Sequence, residues 1–137
     1  MKRTLSIIFI ALILIMGTVT PTYAALPEDN TVTPLWESIS ALSSDFGFSG
    51  SNGNATGICT RKSGVELLEG TLIVYKKVNG SWEYVDDASK SVAVGALAVS
   101  VDFTCESGVE YMSEFTVTAY ESGVPETVTK TAYGTCP

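Results

Sequence analysis

The sequence predicts an all-β fold, an antiparallel β-sandwich of about seven strands behind a cleaved export signal. Three observations carry this. From Asn54 onward, apolar and polar residues alternate in short runs of period two, as half-buried strands require. Turn chemistry separates the runs at "KSG", "NG", "DDAS", "ESG" and "ESGVP". Thr and Val are abundant and no convincing helical period appears, a pattern that suits pleated, half-buried surfaces.

Residues 1–24 read as a secretory signal peptide. Lys2-Arg3 is a basic start, Leu5 to Met16 is apolar except for Ser6, and Thr22-Tyr23-Ala24 is a small-x-small cleavage pattern. The cut is expected between Ala24 and Ala25. The apolar run is shorter than the about 20 residues that span a bilayer, so no membrane attachment is expected after cleavage. Of 137 residues, 113 remain, one domain's worth. Lys2 and Arg3 leave with the signal while all fifteen acidic residues stay, so the net charge moves from −7 to −9. So acidic a domain repels phosphate backbones and anionic lipid, which excludes nucleic acid and membrane surfaces as expected partners. The expected location is secreted and extracellular.

Residues 25–44 are expected to be a flexible lead with one ambiguous segment. Ala25 to Pro34 has two prolines and no apolar period. Leu35 to Phe46 alternates poorly and admits either a short helix or a first strand, with Trp36 at the sandwich edge. The sandwich is expected over 45–137. Gly47 to Gly57 reads as a Gly/Ser/Asn turn, and Asn54 to Lys62 as a strand holding Cys59. Gly70 to Val78 and Ser81 to Val85 read as the arms of a hairpin, and Lys90 to Phe103 as one long strand. Val109 to Tyr120 puts Val109, Tyr111, Phe115, Val117 and Ala119 on one face, with Glu110, Glu114, Thr116 and Thr118 on the other. Glu126 to Tyr133 closes the chain. Apolar matching of the last two strands sets Ala119 against Val128, Phe115 against Ala132 and Tyr111 against Cys136.

The hairpin turns at Asn79-Gly80, a pair suited to the left-handed backbone of a type I′ turn. With a two-residue loop, Val78 faces Ser81, Lys77 faces Trp82, Lys76 faces Glu83, Tyr75 faces Tyr84 and Val74 faces Val85. Leu72, Val74 and Val85 make the core side. Ile73, Tyr75, Lys77, Trp82 and Tyr84 then share the outer side, where Tyr75, Lys77, Trp82 and Tyr84 are the candidate binding residues. Cross-strand aromatic and Lys–aromatic pairs also stabilise an edge hairpin without any ligand. Tyr and Trp favour interfaces, because they bury large areas and keep a polar tip.

The stretches "GTLIVYKKVNGSWEYV" and "SGVEYMSEFTVTAYESGVPETVTKT" resemble the immunoglobulin-like or fibronectin type III-like domain of small, uncharacterised secreted proteins of Gram-positive gut bacteria. The resemblance covers Gly57 to Cys136. Its motifs are a Lys-rich strand, the N-G-S-W turn, a Gly-x-x-Tyr strand entry at Gly108 to Tyr111 and the AY…ETVTKT hairpin. They imply a fold and bring no catalytic residue. The antibody-type pattern is absent, since no Cys stands two residues after a Tyr on the Val109–Tyr120 strand.

Cys59, Cys105 and Cys136 allow three pairings, and export favours oxidation. The strand after Cys105 runs away from it and the last strand runs back to Cys136, which brings those two to one end. Cys105–Cys136 is therefore the expected disulfide, and Cys59, beside Ile58, the free, packed thiol. With no His in the chain, Ser-His-Asp and Cys-His catalysis and His-bearing zinc sites are excluded. No phosphate-binding glycine motif and no C-x-x-C pair appears, so no cofactor and no metal is expected. Asp102, Glu106 and Glu110 are the remaining acidic group for a small hydrolase, but surface solvation is the stronger reading, since an acidic domain must put its charges in loops and on strand faces. The expected function is a secreted, non-enzymatic module that binds a protein or glycan at a cell surface. The alternatives are a structural or self-associating extracellular protein, through sheet edges or Cys59, and the carboxylate hydrolase.

Overall fold

A computed structural model describes residues 35–137, which form seven antiparallel strands in two sheets, with no helix among the described residues. The strands are β1 (Ile39–Ser49), β2 (Asn52–Arg61), β3 (Val65–Val78), β4 (Ser81–Val92), β5 (Leu97–Thr104), β6 (Glu110–Glu121) and β7 (Val124–Thr135). One sheet has the order β1-β2-β5 and the other β4-β3-β6-β7. In constant-type immunoglobulin domains the fourth strand joins the first sheet. Here it lies beside β3, so the sandwich takes the fibronectin type III-like form of the expected fold. The predicted signal peptide, and the lead through Pro34, lie outside the described residues.

Of the two forms open to Leu35–Phe46, the strand is the one observed. The sandwich therefore includes residues N-terminal to position 45. Glu126 on β7 accepts hydrogen bonds from the Glu37 and Ser38 amides (3.0 and 2.7 Å), which ties the start of β1 to the other sheet.

The core is the set of inward residues that period two selects. Leu72 and Val74 on β3, Leu97, Val99 and Val101 on β5, and Tyr111, Phe115, Val117 and Ala119 on β6 are all buried. Phe115 sits at the centre against bare backbone. A Cβ built on Gly57 of the facing sheet would stand 2.4 Å from the Phe115 ring, and one on Gly70 would stand 3.1 Å from it. These glycines are seats for an aromatic side chain. The Tyr111 hydroxyl accepts a hydrogen bond from the Glu106 amide (3.0 Å), a tyrosine corner at the entry to β6. Two residues on, where antibody domains carry a cysteine, Ser113 is fully buried. It shares a 2.8 Å hydrogen bond with Ser44 across the sandwich.

Cys105 and Cys136 form the expected disulfide, with Cα atoms 6.1 Å apart. It closes the end of the sandwich beside the Gly50-Ser51 turn, where the Cys105 amide donates to Ser51 O (2.8 Å). Phe46, Phe48, Phe103 and Tyr111 pack together just inside it, with Phe103 and Tyr111 centroids 4.9 Å apart. Cys59 is free and fully buried, and burial pushes its thiol up to about 11.

Five expectations need correction. Gly47–Gly57 is not a long turn: only Gly50 and Ser51 turn, and the flanking residues pair as β1 and β2. "DDAS" is not a turn either. Asp86, Asp87, Ala88 and Ser89 continue β4 opposite Val74, Ile73, Leu72 and Thr71. Val74 thus faces Asp86 rather than Val85, because a bulge at Val85 absorbs one residue. Lys90–Phe103 is two strands. The chain leaves the four-stranded sheet after Val92, turns through Gly95 at φ 80°, and enters the three-stranded sheet at Leu97. Finally, β7 is shifted by two residues from the expected register. Val117 faces Val128, Ser113 faces Ala132 and Tyr111 faces Gly134. The cause is a two-residue turn at Ser122-Gly123 (φ 51° and 78°), tighter than "ESGVP" suggested. A slip of two preserves the faces, so the predicted inward and outward residues of β6 stand.

Candidate functional site

The outward face of the four-stranded sheet gathers most of the exposed aromatic surface. Asn79 and Gly80 both have positive φ (50° and 84°), the left-handed pair a type I′ turn needs, and this turn sets the upper register of β3 and β4. Tyr75 faces Tyr84 and Lys77 faces Trp82, as expected. Tyr75 in turn faces Met112 on β6, and Met112 faces Tyr133 on β7. Tyr84, Tyr75, Met112 and Tyr133 therefore form one row across all four strands. The Trp82 and Tyr133 rings approach to 5.9 Å over this row, and Met112 is only 9% exposed although it points away from the core. Tyr84 and Tyr133 are 58% and 61% exposed, while Tyr75 and Trp82 are half-buried. All four sequence-predicted binding residues lie on this one face. Tyr133 and Met112 belong with them.

The polar groups on the face have definite partners. Lys77 Nζ lies 5.4 Å from the Trp82 ring centroid and 2.7 Å from Glu110 Oε2, so one ammonium is held between a ring and a carboxylate. The Val85 bulge changes the parity of β4 and brings Asp87 outward opposite Ile73, next to Tyr84. Tyr84 donates to Asp87 at 2.5 Å. That hydrogen bond, then the loss of solvent and the Asp87 charge, push the Tyr84 phenol up to about 12. Tyr75 is raised by burial first and then by the charge and hydrogen bond of Glu114, which lies opposite Ile73 from β6. Farther down the face hydroxyls satisfy one another. Thr71–Ser89, Thr116–Thr129 and Thr118–Thr127 are hydrogen-bonded at 2.8, 2.8 and 2.9 Å.

The three candidate hydrolytic carboxylates do not converge. Asp102 accepts from Asn54 Nδ2 (2.6 Å) on the three-stranded sheet, Glu106 pairs with Lys76 (2.8 Å) and Glu110 with Lys77. The pairing with Glu106 also raises the Lys76 ammonium. Among the described residues, no group of three or more His, Cys, Asp or Glu side chains is arranged to hold a metal ion. A shallow groove of about 670 Å³ lies on the other sheet, near the disulfide, lined by Gly47, Phe48, Asn52, Asn54, Asp102 and Phe103. It has no sequence signature, because Gly47 and Asn52 fall in a Gly/Ser/Asn run that reads as a turn.

No protein-family model matches the chain, and no curated protein matches its sequence. The solved structures that resemble it include two all-β matches at low identity. One is a Parabacteroides merdae β-glucuronidase, at 12% identity and a TM-score of 0.47, covering 68% of this chain. This chain spans 13% of that enzyme. The other is a protein from Archaeoglobus fulgidus, at 9% identity and a TM-score of 0.35, covering 72% of this chain and 98% of that one. Neither likeness bears on activity.

Proposed function

We propose that the chain is an exported, non-enzymatic β-sandwich module that binds a protein or glycan at a cell surface through the outward face of its four-stranded sheet. One observation carries the reading: Tyr75, Trp82, Tyr84 and Tyr133, from three different strands, share that face. Large rings with polar tips and mutually satisfied neighbours form a flat, amphipathic contact surface. The Cys105–Cys136 disulfide is compatible with an oxidising compartment. No helix among the described residues is long and apolar enough to cross a membrane. The dispersal of Asp102, Glu106 and Glu110 and the absence of His favour binding over hydrolysis.

Self-association is the less favoured reading. Cys59 is fully buried and cannot bridge chains without unfolding. β4, an edge of its sheet, carries a bulge, Asp86, Asp87 and Lys90, features that oppose strand-to-strand pairing. The test replaces Tyr75, Trp82 and Tyr84 together by Ser and measures binding to cell-surface and glycan arrays, with the melt checked by circular dichroism. Binding is expected to vanish while the fold persists. Full retention with an intact fold would place the site elsewhere.

A further inference from the structure

We infer that the aromatic face takes Lys and Arg side chains of a basic segment on a partner protein, with Asp87 and Glu114 as the anchoring carboxylates. This rests on the reading of that face as the binding surface and names its occupant. The face already holds one cation of its own. Lys77 lies over Trp82 and against Glu110, a seat made of one ring and one carboxylate. The adjoining rows repeat that composition. Asp87 is held by the Tyr84 hydroxyl, and Glu114 lies beside Tyr75. Among the described residues the two salt bridges are Lys76–Glu106 and Lys77–Glu110, so neither Asp87 nor Glu114 has a basic partner.

Asp87 and Glu114 flank Ile73 from its two neighbouring strands, about 10 Å apart at two strand spacings. The exposed Tyr84 ring lies alongside Asp87 and the half-buried Tyr75 ring alongside Glu114. An ammonium or guanidinium set there meets a ring face and a carboxylate together, which strengthens both contacts as water is excluded. A neutral glycan would cover the two carboxylates without compensating their charge. An anionic polymer would meet them and the chain's net negative charge head on. A flat face suits an extended protein segment better than a small molecule, which prefers enclosure.

The probe is a decalysine peptide, titrated against the full exported chain by calorimetry at low salt, with decaglutamate and a cello-oligosaccharide in parallel. Decalysine alone is expected to bind. The D87N/E114Q variant is expected to weaken it about tenfold, and D45N/E66Q, with the same charge change at exposed residues away from the rings, by less than about twofold. Thermal melts keep misfolding from passing as lost binding, and decalysine-induced NMR shifts at the Trp82 indole and Tyr84 localise the contact in the unmodified chain. Equal losses in the two variants, or the oligosaccharide shifting these resonances where decalysine does not, would overturn the inference. Loss of surface binding on the triple Ser change alongside full retention in D87N/E114Q defeats this inference alone. Retention in the triple variant defeats the face itself.

Discussion

Gly57→Ala sets two physical effects against each other at the centre of the sandwich. Replacing a strand glycine by alanine restricts the unfolded chain and stabilises by about 0.4–1 kcal/mol where the backbone accepts it. At Gly57 the new methyl would stand 2.4–2.6 Å from three Phe115 ring atoms. Phe115 is fully buried, and its ring also lies close to the backbone at Gly70, which leaves it little room to yield. Overpacking of this kind costs about 1–3 kcal/mol. The net expectation is a loss of about 0–2.6 kcal/mol, about 1.3 kcal/mol at the midpoints of those two ranges. Gly47→Ala is the matched control, also a strand glycine but with nothing within 4 Å of its added methyl, and should gain about 0.4–1 kcal/mol. Urea unfolding reads both as shifts in midpoint at constant slope. In a Gly57→Ala background, Phe115→Leu should cost less than it does alone, because the smaller side chain relieves the clash. A Gly57→Ala protein more stable than the original, or both alanine variants shifting the same way, would refute the packing described for Phe115.

Three further outcomes follow from the structure. Replacing Cys105 and Cys136 by Ser opens a loop with a sequence separation of 31 and should lower stability by about 3–4 kcal/mol in denaturant melts; a loss below about 1 kcal/mol would contradict a structural role. Ser113→Ala leaves the buried Ser44 hydroxyl without its partner and should cost about 1–3 kcal/mol, whereas the S44A/S113A pair should cost less than the single change, and a strictly additive double-mutant cycle would deny the hydrogen bond. Burial raises the Cys59 thiol from 9.0 to about 11, so its contribution is intact below about pH 9 and is lost as pH rises toward 11, where the unfolded thiol ionises first. Cys59→Ala should flatten that part of the decline, the raised Tyr75, Tyr84 and Tyr120 phenols and Lys76 ammonium accounting for the remainder, and an unchanged slope would contradict the burial of Cys59.

The local code was legible where one residue type has one physical use. Asn79-Gly80 can hardly do anything but turn left-handed, so the aromatic face above it was readable from the sequence. Alternation from Tyr111 to Ala119 assigned the core side of β6, and a register error of two residues left that assignment untouched. Reading failed where a residue has two uses. Gly57 falls at the end of the Gly/Ser/Asn run and at the start of a strand, and its use as a seat for Phe115 shows in neither. Asp86-Asp87 looked like a turn and is strand, because the Val85 bulge that carries them onward has no signature of its own. Val94 and Ala96 prolong the alternation of β4 through a corner where the chain changes sheets, and Val94 is 83% exposed there. The candidate site suffered from the same ambiguities. The place of Tyr133 in the row with Tyr84, Tyr75 and Met112 was hidden by the register of β7, Asp87 by the bulge, and Met112 by lying outside the core parity.

The claim that the aromatic face is the contact surface is tested most directly by hydroxyl-radical footprinting of the chain, free and bound to cells. Tyr84 and Tyr133 start exposed, Tyr111 is 1% exposed and serves as the buried reference, and Tyr120 lies on the same sheet at the far end from the Asn79-Gly80 turn. Protection of Tyr84, Tyr133 and Trp82 with Tyr120 unchanged is the predicted result. Unaltered labelling at all three, with protection instead at Phe48 and Phe103 beside the opposite groove, would contradict it.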